Sequence, residues 1–154
     1  MLAVFDVDGV VADVRHRLHH LHGGHSWDAF FDDADKDELL DEGARLVADL
    51  GRQHDIVWLT GRPEWLRAVT EQWMGRNGLP CDELHMRPHH DYRPAPRYKL
   101  SVLLELAPRG IAAVIDDDDE VIAAAAAAGF PAVLADWVPR GSDLRRAQDR
   151  DGRT

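Results

Sequence analysis

The stretch FDVDGVVAD, residues 5–13, follows the apolar run Leu2–Val4 near the start of the chain. Within it, Asp6 and Asp8 flank a single valine, and Gly9 comes directly after them. The apolar run predicts a buried strand, and glycine allows the backbone to turn sharply where such a strand ends. We therefore expect two carboxylates at the carboxyl end of the first strand, which is where a parallel sheet binds its ligands.

Chain length and charge narrow the class of protein. A chain of 154 residues is long enough for one domain with a hydrophobic core. Its 28 acidic and 18 basic residues give a formal net charge of -10. That charge argues against a protein held on nucleic acid by a broad basic surface, but it is compatible with an enzyme that grips one phosphate locally.

No apolar stretch has the length of a membrane span, and we expect no signal peptide before the first strand. The single cysteine, Cys81, excludes an internal disulfide bond and is typical of a reducing compartment. The sequence therefore predicts a cytoplasmic protein without membrane association.

Apolar runs alternate with helix-like stretches, and this order predicts a parallel sheet covered by helices on both faces. Five core strands are expected, at residues 2–7, 55–60, 84–86, 111–115 and 131–135. Helices are expected at residues 38–51, 63–76, 97–106 and 120–128. The predicted fold class is α/β, a three-layer α/β/α Rossmann-like arrangement.

The expected domain covers residues 1–138, and residues 139–154 read as a polar C-terminal tail that is frayed apart from a possible helical turn at 144–148. The gap between the first strand and the first helix is too long for a simple crossover. Residues 13–37 are therefore a candidate functional insertion. It is too short for a large cap domain, so we expect a small lid or an open site.

Polar residues also follow the other expected strands. Thr60, Gly61 and Arg62 end the second strand, Asp116 begins a run of four aspartates at the end of the fourth, and Lys99 lies in the helix before it. Carboxylates gathered at one edge repel one another unless cations share the site, and Mg²⁺ prefers oxygen ligands. A shielded carboxylate can attack phosphorus, and a second one can act as general acid and base. The pattern predicts Mg²⁺-dependent phosphoryl transfer.

The motifs DVDGV, LTGR, a later lysine and IDDDDEV together resemble the four motifs of the haloacid dehalogenase-like hydrolase superfamily, over residues 4–134. The resemblance implies that Asp6 is the nucleophile, which forms an aspartyl-phosphate, and that Asp8 is the general acid and base. It also implies that Thr60 binds the transferring phosphoryl group and that Lys99 neutralises charge between Asp6 and the phosphate.

The same resemblance implies a set of magnesium ligands. They are Asp6, Asp8 (through its main-chain carbonyl), Asp116 and Asp117. Asp117 would contact either the ion itself or the ligands that bind it directly. One departure from the family pattern is Val10, where many members carry threonine.

A closer resemblance lies outside these motifs. The segments DVRHRLHHL, WDAFFDDADKDE, LTGRPEWLRAVTEQWM and LHMRPHHDYRP are similar to the 3′-phosphatase domain of polynucleotide kinases. The resemblance implies that Gly61, Arg62, Arg17 and Arg87 bind the substrate, the arginines by bidentate bonds to phosphate. Some members carry an aspartate where this chain has Ala95. The chain also lacks a GxxxxGK[ST] loop, so we expect no kinase domain within it.

These observations predict a Mg²⁺-dependent phosphomonoesterase that removes a 3′-phosphate from nucleic-acid ends or nucleotides. One alternative keeps the chemistry but assigns a small phosphorylated metabolite or nucleotide as substrate. Another is a phospho-accepting signalling receiver, although a receiver has no use for a second acid two residues after its nucleophile and carries that nucleophile on its third strand.

Two groups in the insertion have open interpretations. Trp27, Phe30 and Phe31 could stack a nucleobase or pin the insertion onto the sheet. Histidines crowd into the segment at His16, His19, His20, His22 and His25. On a helix, His16 and His20 stand four residues apart and could share a zinc ion. The other interpretation is that the histidines form a weakly basic surface patch near the substrate.

Overall fold

A five-stranded parallel sheet forms the centre of the computed structural model, which describes residues 1–22 and 26–154. Its strands are β1 (Leu2–Phe5), β4 (Asp55–Pro63), β5 (Leu84–Arg87), β6 (Ile111–Asp116) and β7 (Ala132–Leu134). Two short strands, β2 (Ala12–Asp13) and β3 (Glu38–Leu39), pair separately and antiparallel. The sheet order is β5-β4-β1-β6-β7. The five expected core strands are confirmed.

This strand order decides where the site lies. From β1 the chain moves outward through β4 to β5, then returns to the other side of β1 and continues through β6 to β7. The connections after β1 and β6 therefore lead in opposite directions, which leaves a crevice beyond the carboxyl ends of these two neighbours. Asp6 follows β1, and Asp116 ends β6.

Helices cover both faces of the sheet. They are α1 (Trp27–Asp32), α2 (Asp41–Leu50), α3 (Arg67–Arg76), α4 (Ala95–Leu106), α5 (Asp119–Ala127) and α6 (Ser142–Asp151). Residues of α4 and α5 share one apolar core with Leu2 and Val4, whereas residues of α2, α3 and α6 share the other with Ala3 and Phe5. β1 is buried on both sides, which explains its unbroken apolar sequence. The three-layer α/β/α fold class is confirmed.

The insertion at residues 13–37 is packed against the domain. Its described part contains a 3-10 helix at Arg15–Leu21, helix α1 and a second 3-10 helix at Ala34–Lys36. Trp27, Phe30 and Phe31 are only 8%, 1% and 1% exposed, and their rings contact one another inside the core, Trp27 stacked on Phe31 and the other two pairs edge to face. Buried rings offer no free face to a nucleobase, so this cluster pins the insertion onto the sheet.

Two elements differ from the expected pattern. The helix expected from residue 38 begins at Asp41, because Leu39 pairs with Ala12 in the small antiparallel sheet. The expected frayed tail instead forms α6, whose Leu144 and Ala147 are 6% and 1% exposed. Residues 139–154 are therefore part of the packed structure. Among the described helices, none is both long and apolar enough to cross a membrane.

Candidate active site

The turn after β1 fixes the position of the first carboxylate. The backbone N–H of Asp6 donates to the carbonyl of Ile115 on the neighbouring strand at 2.8 Å. Its carboxylate accepts a hydrogen bond of 2.7 Å from the N–H of Val7. Gly9 then takes a φ of 77°, which the left-handed region allows for glycine at low cost. The Asp6 side chain is thus held at the crevice between β1 and β6.

Lys99, on α4, links the ends of these two strands. Its Nζ lies 2.9 Å from Oδ2 of Asp6 and 2.6 Å from Oδ2 of Asp116. The three residues are 4%, 7% and 2% exposed, respectively. The structure therefore brings together one buried ammonium and two buried carboxylates that are far apart in the sequence.

Burial is the largest influence on the pKa values of these residues. Desolvation raises the pKa of Asp6 to about 7, with Lys99 acting in the opposite direction and Asp116 adding repulsion. Burial also raises the pKa of Asp117 well above its ordinary value, and the neighbouring Asp116 and Asp6 raise it further. For Lys99, burial would lower the pKa, but the two carboxylates outweigh it and hold the pKa above the ordinary value. These acids lack sufficient positive charge around them.

A divalent cation would supply the positive charge that these carboxylates lack. Carboxylate oxygens of Asp6, Asp116 and Asp117 all lie within 4.8 Å of one another, and no other such group of potential ligands occurs in the described part of the chain. Three acids beside one lysine leave an excess of negative charge, and all donors are hard oxygens, as Mg²⁺ requires. The carboxylate of Asp8 lies outside this group. That Asp8 binds Mg²⁺ through its main-chain carbonyl stays a prediction.

Asp8 instead belongs to a cluster with two buried arginines. Its Oδ1 accepts hydrogen bonds from Arg62 (Nη2 at 2.6 Å, Nε at 3.0 Å) and from Nη2 of Arg17 at 3.1 Å. Burial alone would raise the pKa of Asp8, but the two guanidinium groups outweigh it and lower the pKa. Asp6 and Asp8, two residues apart, therefore have pKa values displaced in opposite directions, which is typical of carboxylates with different catalytic roles.

Asp37, which no sequence motif singles out, completes this cluster. Its fully buried carboxylate accepts from Nε and Nη2 of Arg17, both at 2.8 Å, and from Nη2 of Arg62 at 2.9 Å. It also lies 2.7 Å from Nε2 of His16. Asp37 thereby fixes the orientation of both arginines toward Asp8. Nothing in its sequence surroundings marks it, because the need for an acid appears only once both arginines are known to be buried.

The remaining expected site residues lie along β4 and β5. Thr60 is buried, and its Oγ1 accepts from the N–H of Arg62 at 3.1 Å. Gly61 lines the pocket that also contains Asp6 and Lys99. Arg87 donates from Nε to the Gly61 carbonyl at 3.2 Å, so it lies one residue removed from the pocket wall. The substrate-binding roles expected of Arg17, Arg62 and Arg87 stay predictions.

Three histidines of the insertion, His16, His20 and His22, are each paired with an acid. His16 contacts Asp37, and Nε2 of His20 lies 2.6 Å from Oδ2 of Asp33. Since they bind different carboxylates, the pair is not arranged around a common zinc ion. His25 lies outside the described residues.

Residues 1–134 match the family model of the polynucleotide kinase PNKP phosphatase domain. The chain belongs to this family. It is accordingly a phosphatase domain of the haloacid dehalogenase-like hydrolase type, as the motifs had indicated. A comparison with curated proteins found no match.

Solved structures agree with the fold of this phosphatase domain. A chain of the Pnkp1/Rnl/Hen1 complex is 24% identical with a TM-score of 0.71, over 87% of this chain and 44% of that one. The protein thus spans less than half of that relative. YfnB, a haloacid dehalogenase-like hydrolase from Bacillus subtilis, was solved with magnesium; it is 13% identical with a TM-score of 0.61, over 86% and 87% of the two chains. An enzyme from Bacteroides thetaiotaomicron, bound to magnesium and inorganic phosphate, is 12% identical with a TM-score of 0.54, over 94% and 98%.

Gly9→Ala is expected to abolish Mg²⁺ binding by the phosphatase domain. A Cβ atom at this position would lie 2.1 Å from Oδ2 of Asp117 and would force that carboxylate away. In the wild-type protein, Mg²⁺ at about 100 times its dissociation constant should stabilise the fold by about 2.7 kcal/mol and raise the thermal midpoint by roughly 5–10 °C. We expect no such rise in the variant, measured by calorimetry with and without Mg²⁺.

Gly78→Ala is the matched control. Gly78 has a similar φ of 68°, but a Cβ there would meet nothing within 4 Å, so only the backbone strain is reproduced. This control should keep the full response to Mg²⁺. A wild-type rise in the Gly9→Ala protein would show that Asp117 is not a ligand.

Proposed function

We propose that this protein is a Mg²⁺-dependent phosphomonoesterase that removes 3′-phosphate from nucleic-acid ends or nucleotides through an aspartyl-phosphate. The main support is the geometry in which Lys99 bridges Asp6 and Asp116 at the crevice between β1 and β6. The family match to polynucleotide kinase phosphatase domains supports the substrate class.

In this reaction an oxygen of Asp6 attacks phosphorus, and the bond from phosphorus to the ester oxygen breaks. Lys99 lies within 2.9 Å of that carboxylate, so its charge would offset the charge that gathers between nucleophile and phosphate. Mg²⁺ bound by Asp6, Asp116 and Asp117 would supply further positive charge to shield the phosphoryl oxygens. Water then hydrolyses the acyl phosphate and returns Asp6 to its free form.

Asp8 is the proposed general acid and base. The leaving oxygen needs a proton in the first step, and the attacking water must lose one in the second. Arg62 and Arg17 keep the pKa of Asp8 low in the present arrangement, so it is ionised and suited to accept the proton from water. A substrate phosphate that draws these guanidinium groups toward itself would leave Asp8 better able to carry the proton for the leaving group.

A small phosphorylated metabolite or nucleotide is the second candidate substrate. One observation favours it: the lining of the pocket beside Lys99 includes Leu144, Gln148 and Thr154 from the C-terminal segment, which narrow it. A small ester enters such a pocket more readily than a polymer end does.

A receiver function disagrees with the phosphatase family match. A cytoplasmic location is proposed on the composition alone.

A phosphate-release panel distinguishes the candidates. It contains 3′-phosphorylated oligonucleotides, 3′- and 5′-mononucleotides and sugar phosphates, each with Mg²⁺ and with a chelator. We expect release to need Mg²⁺ and to be at least about tenfold faster, as kcat/KM, for 3′ than for 5′ esters, because the arginines select one arrangement of phosphate and sugar. Equal hydrolysis of 3′ and 5′ esters would reject the polynucleotide assignment, and preference for sugar phosphates would establish the metabolite alternative.

A further inference from the structure

The last residues of the chain lie across the active site. Gly152 is buried, and a Cβ added to it would be 2.2 Å from the carbonyl oxygen of Tyr92. Thr154 is only 7% exposed, and its carbonyl carbon would lie 2.4 Å from a Cβ on Gly61. Residues 152–154 therefore run in close contact from the loop around Tyr92 to Gly61, in the wall of the pocket that contains Asp6 and Lys99, here called the phosphate pocket. They lie beyond the family match, which ends at residue 134.

Beside the phosphate pocket lies a second depression, here called the rim groove. Residues 152 and 153 line it together with Pro63, Trp65, Arg87, His89, His90 and Tyr92. Trp65 and Tyr92 are 49% and 54% exposed, which is unusual for large aromatic side chains. The guanidinium of Arg153 lies 5.8 Å from the centre of the Tyr92 ring and covers one of its faces.

Arg87 gives the rim groove an unused hydrogen-bond donor. Its Nη1 donates to the carbonyls of Asp91 and Arg93, at 3.3 and 2.7 Å, but its Nη2 is buried and has no partner among the described residues. A buried guanidinium nitrogen without an acceptor is costly, and an anionic oxygen would satisfy it. Nε of the same guanidinium donates to the carbonyl of Gly61, so Arg87 lies next to the wall of the phosphate pocket.

The charges in the rim groove favour an anion with a flat apolar part. Besides Arg87, it contains His89 and His90, whose ring centres lie 4.2 Å apart with the rings tilted to each other. Among the described residues, the one acid that lines it is Asp91, which is held by Arg93 through bonds of 2.7 to 3.2 Å. Basic groups together with exposed aromatic rings are what a nucleotide requires, since a base can stack on the rings and a phosphate can bind the cations.

We propose that the rim groove binds the nucleotides next to the scissile 3′-phosphate, and that residues 152–154 occupy their path until such a substrate displaces them. This inference rests on the proposed function. Only when the scissile phosphate lies beside Asp6 does the nucleotide strand that carries it pass over Gly61 into the rim groove. The segment then acts as a competitor that separates polymer ends from small esters, which need only the phosphate pocket.

The attachment of the segment is suited to displacement. Helix α6 carries the segment, and two of its contacts with the rest of the protein, Arg145 with Asp119 and His22 with Asp143, join side chains that are 38–57% exposed, so they contribute little. The stronger attachments of α6 include the buried Ala147 and Leu144 and a hydrogen bond of 2.7 Å from Nε1 of Trp27 to Asp151. A substrate that binds only the open arrangement has its apparent affinity reduced by the fraction of molecules that are open.

Ala147→Asp tests the displacement, because a charge under α6 should detach the helix from the apolar core. We expect the KM for a 3′-phosphorylated oligonucleotide to fall roughly tenfold, and to fall several times further than the KM for phenyl phosphate, which can enter the pocket while α6 is attached. Ser142→Asp adds the same charge at an exposed position of α6 and should behave as wild type. Equal changes for both substrates, or no change, would overturn the displacement.

Trp65→Ala tests the rim groove in the wild-type background, where α6 stays attached. Loss of one stacking surface should raise the KM for the oligonucleotide roughly tenfold and leave phenyl phosphate unaffected. Leu104→Ala, which removes a large residue that is 56% exposed on α4, is the control. Oligonucleotide hydrolysis that is indifferent to Trp65→Ala would overturn the groove but leave the proposed function intact. Phenyl phosphate hydrolysis without any 3′-phosphatase activity would overturn both.

Discussion

Asp6→Asn is expected to slow phosphate release by at least about 10⁴-fold while the protein stays folded. The carboxamide has nearly the shape of the carboxylate, so the contacts of the turn after β1 survive. It lacks the nucleophilic oxygen, however, and the negative charge that faces Lys99 at 2.9 Å is lost. Release from a 3′-phosphorylated oligonucleotide with Mg²⁺ measures the loss, and thermal unfolding by circular dichroism checks the fold.

A second readout identifies the covalent step. Wild-type protein mixed with ³²P-labelled substrate and quenched in acid should retain label, which hydroxylamine releases from an acyl phosphate, whereas Asp6→Asn protein should retain none. Asp82→Asn, at an exposed position before β5, is the control and should match wild type in both assays. Turnover near the wild-type rate in the Asp6 variant would reject the aspartyl-phosphate mechanism.

Asp37→Ala is expected to lower the free energy of unfolding by roughly 3–5 kcal/mol. Arg17 and Arg62 are fully buried, and they share two carboxylates, Asp8 and Asp37. Removing Asp37 leaves the two buried guanidinium groups with one negative partner, Asp8. Water cannot reach these guanidinium groups to solvate their charge. Urea unfolding followed by tryptophan fluorescence measures the change.

Asp35→Ala is the control for this prediction, since Asp35 is exposed in the same segment and its loss should change stability by less than about 0.5 kcal/mol. Asp37→Asn should fall between the two, because the amide oxygen can still accept one hydrogen bond from a guanidinium. An Asp37→Ala protein with the wild-type urea midpoint would mean that the two arginines are solvated in solution.

The core strands and the first carboxylates could be predicted because the signals are local. A strand buried on both faces has an unbroken apolar sequence, as in β1, and its end is marked where the first acid appears. Parallel strands have their carboxyl ends at the same edge. Polar residues that follow separate strands, such as Asp6 and Asp116, are therefore brought together by any fold of this class.

Other features were not predictable because they depend on contacts distant in sequence. The start of α2 moved to Asp41 because Leu39 finds a partner in Ala12, a pairing across the whole insertion. Helix α6 appears polar in sequence, since only Leu144 and Ala147 point inward and the surface they cover is built by other elements. Short amphipathic segments of this kind are stabilised by packing rather than by helix propensity.

The sequence by itself determined the order of strands and helices, the acids and lysine at the strand ends, and the family to which they correspond. Only the tertiary structure decided that Asp37 holds two buried arginines toward Asp8, and that residues 152–154 lie over Gly61. The physical reason is that strand formation and chain turns follow from neighbouring residues. Charge pairing in the interior and the covering of a pocket instead depend on which distant surfaces meet after folding.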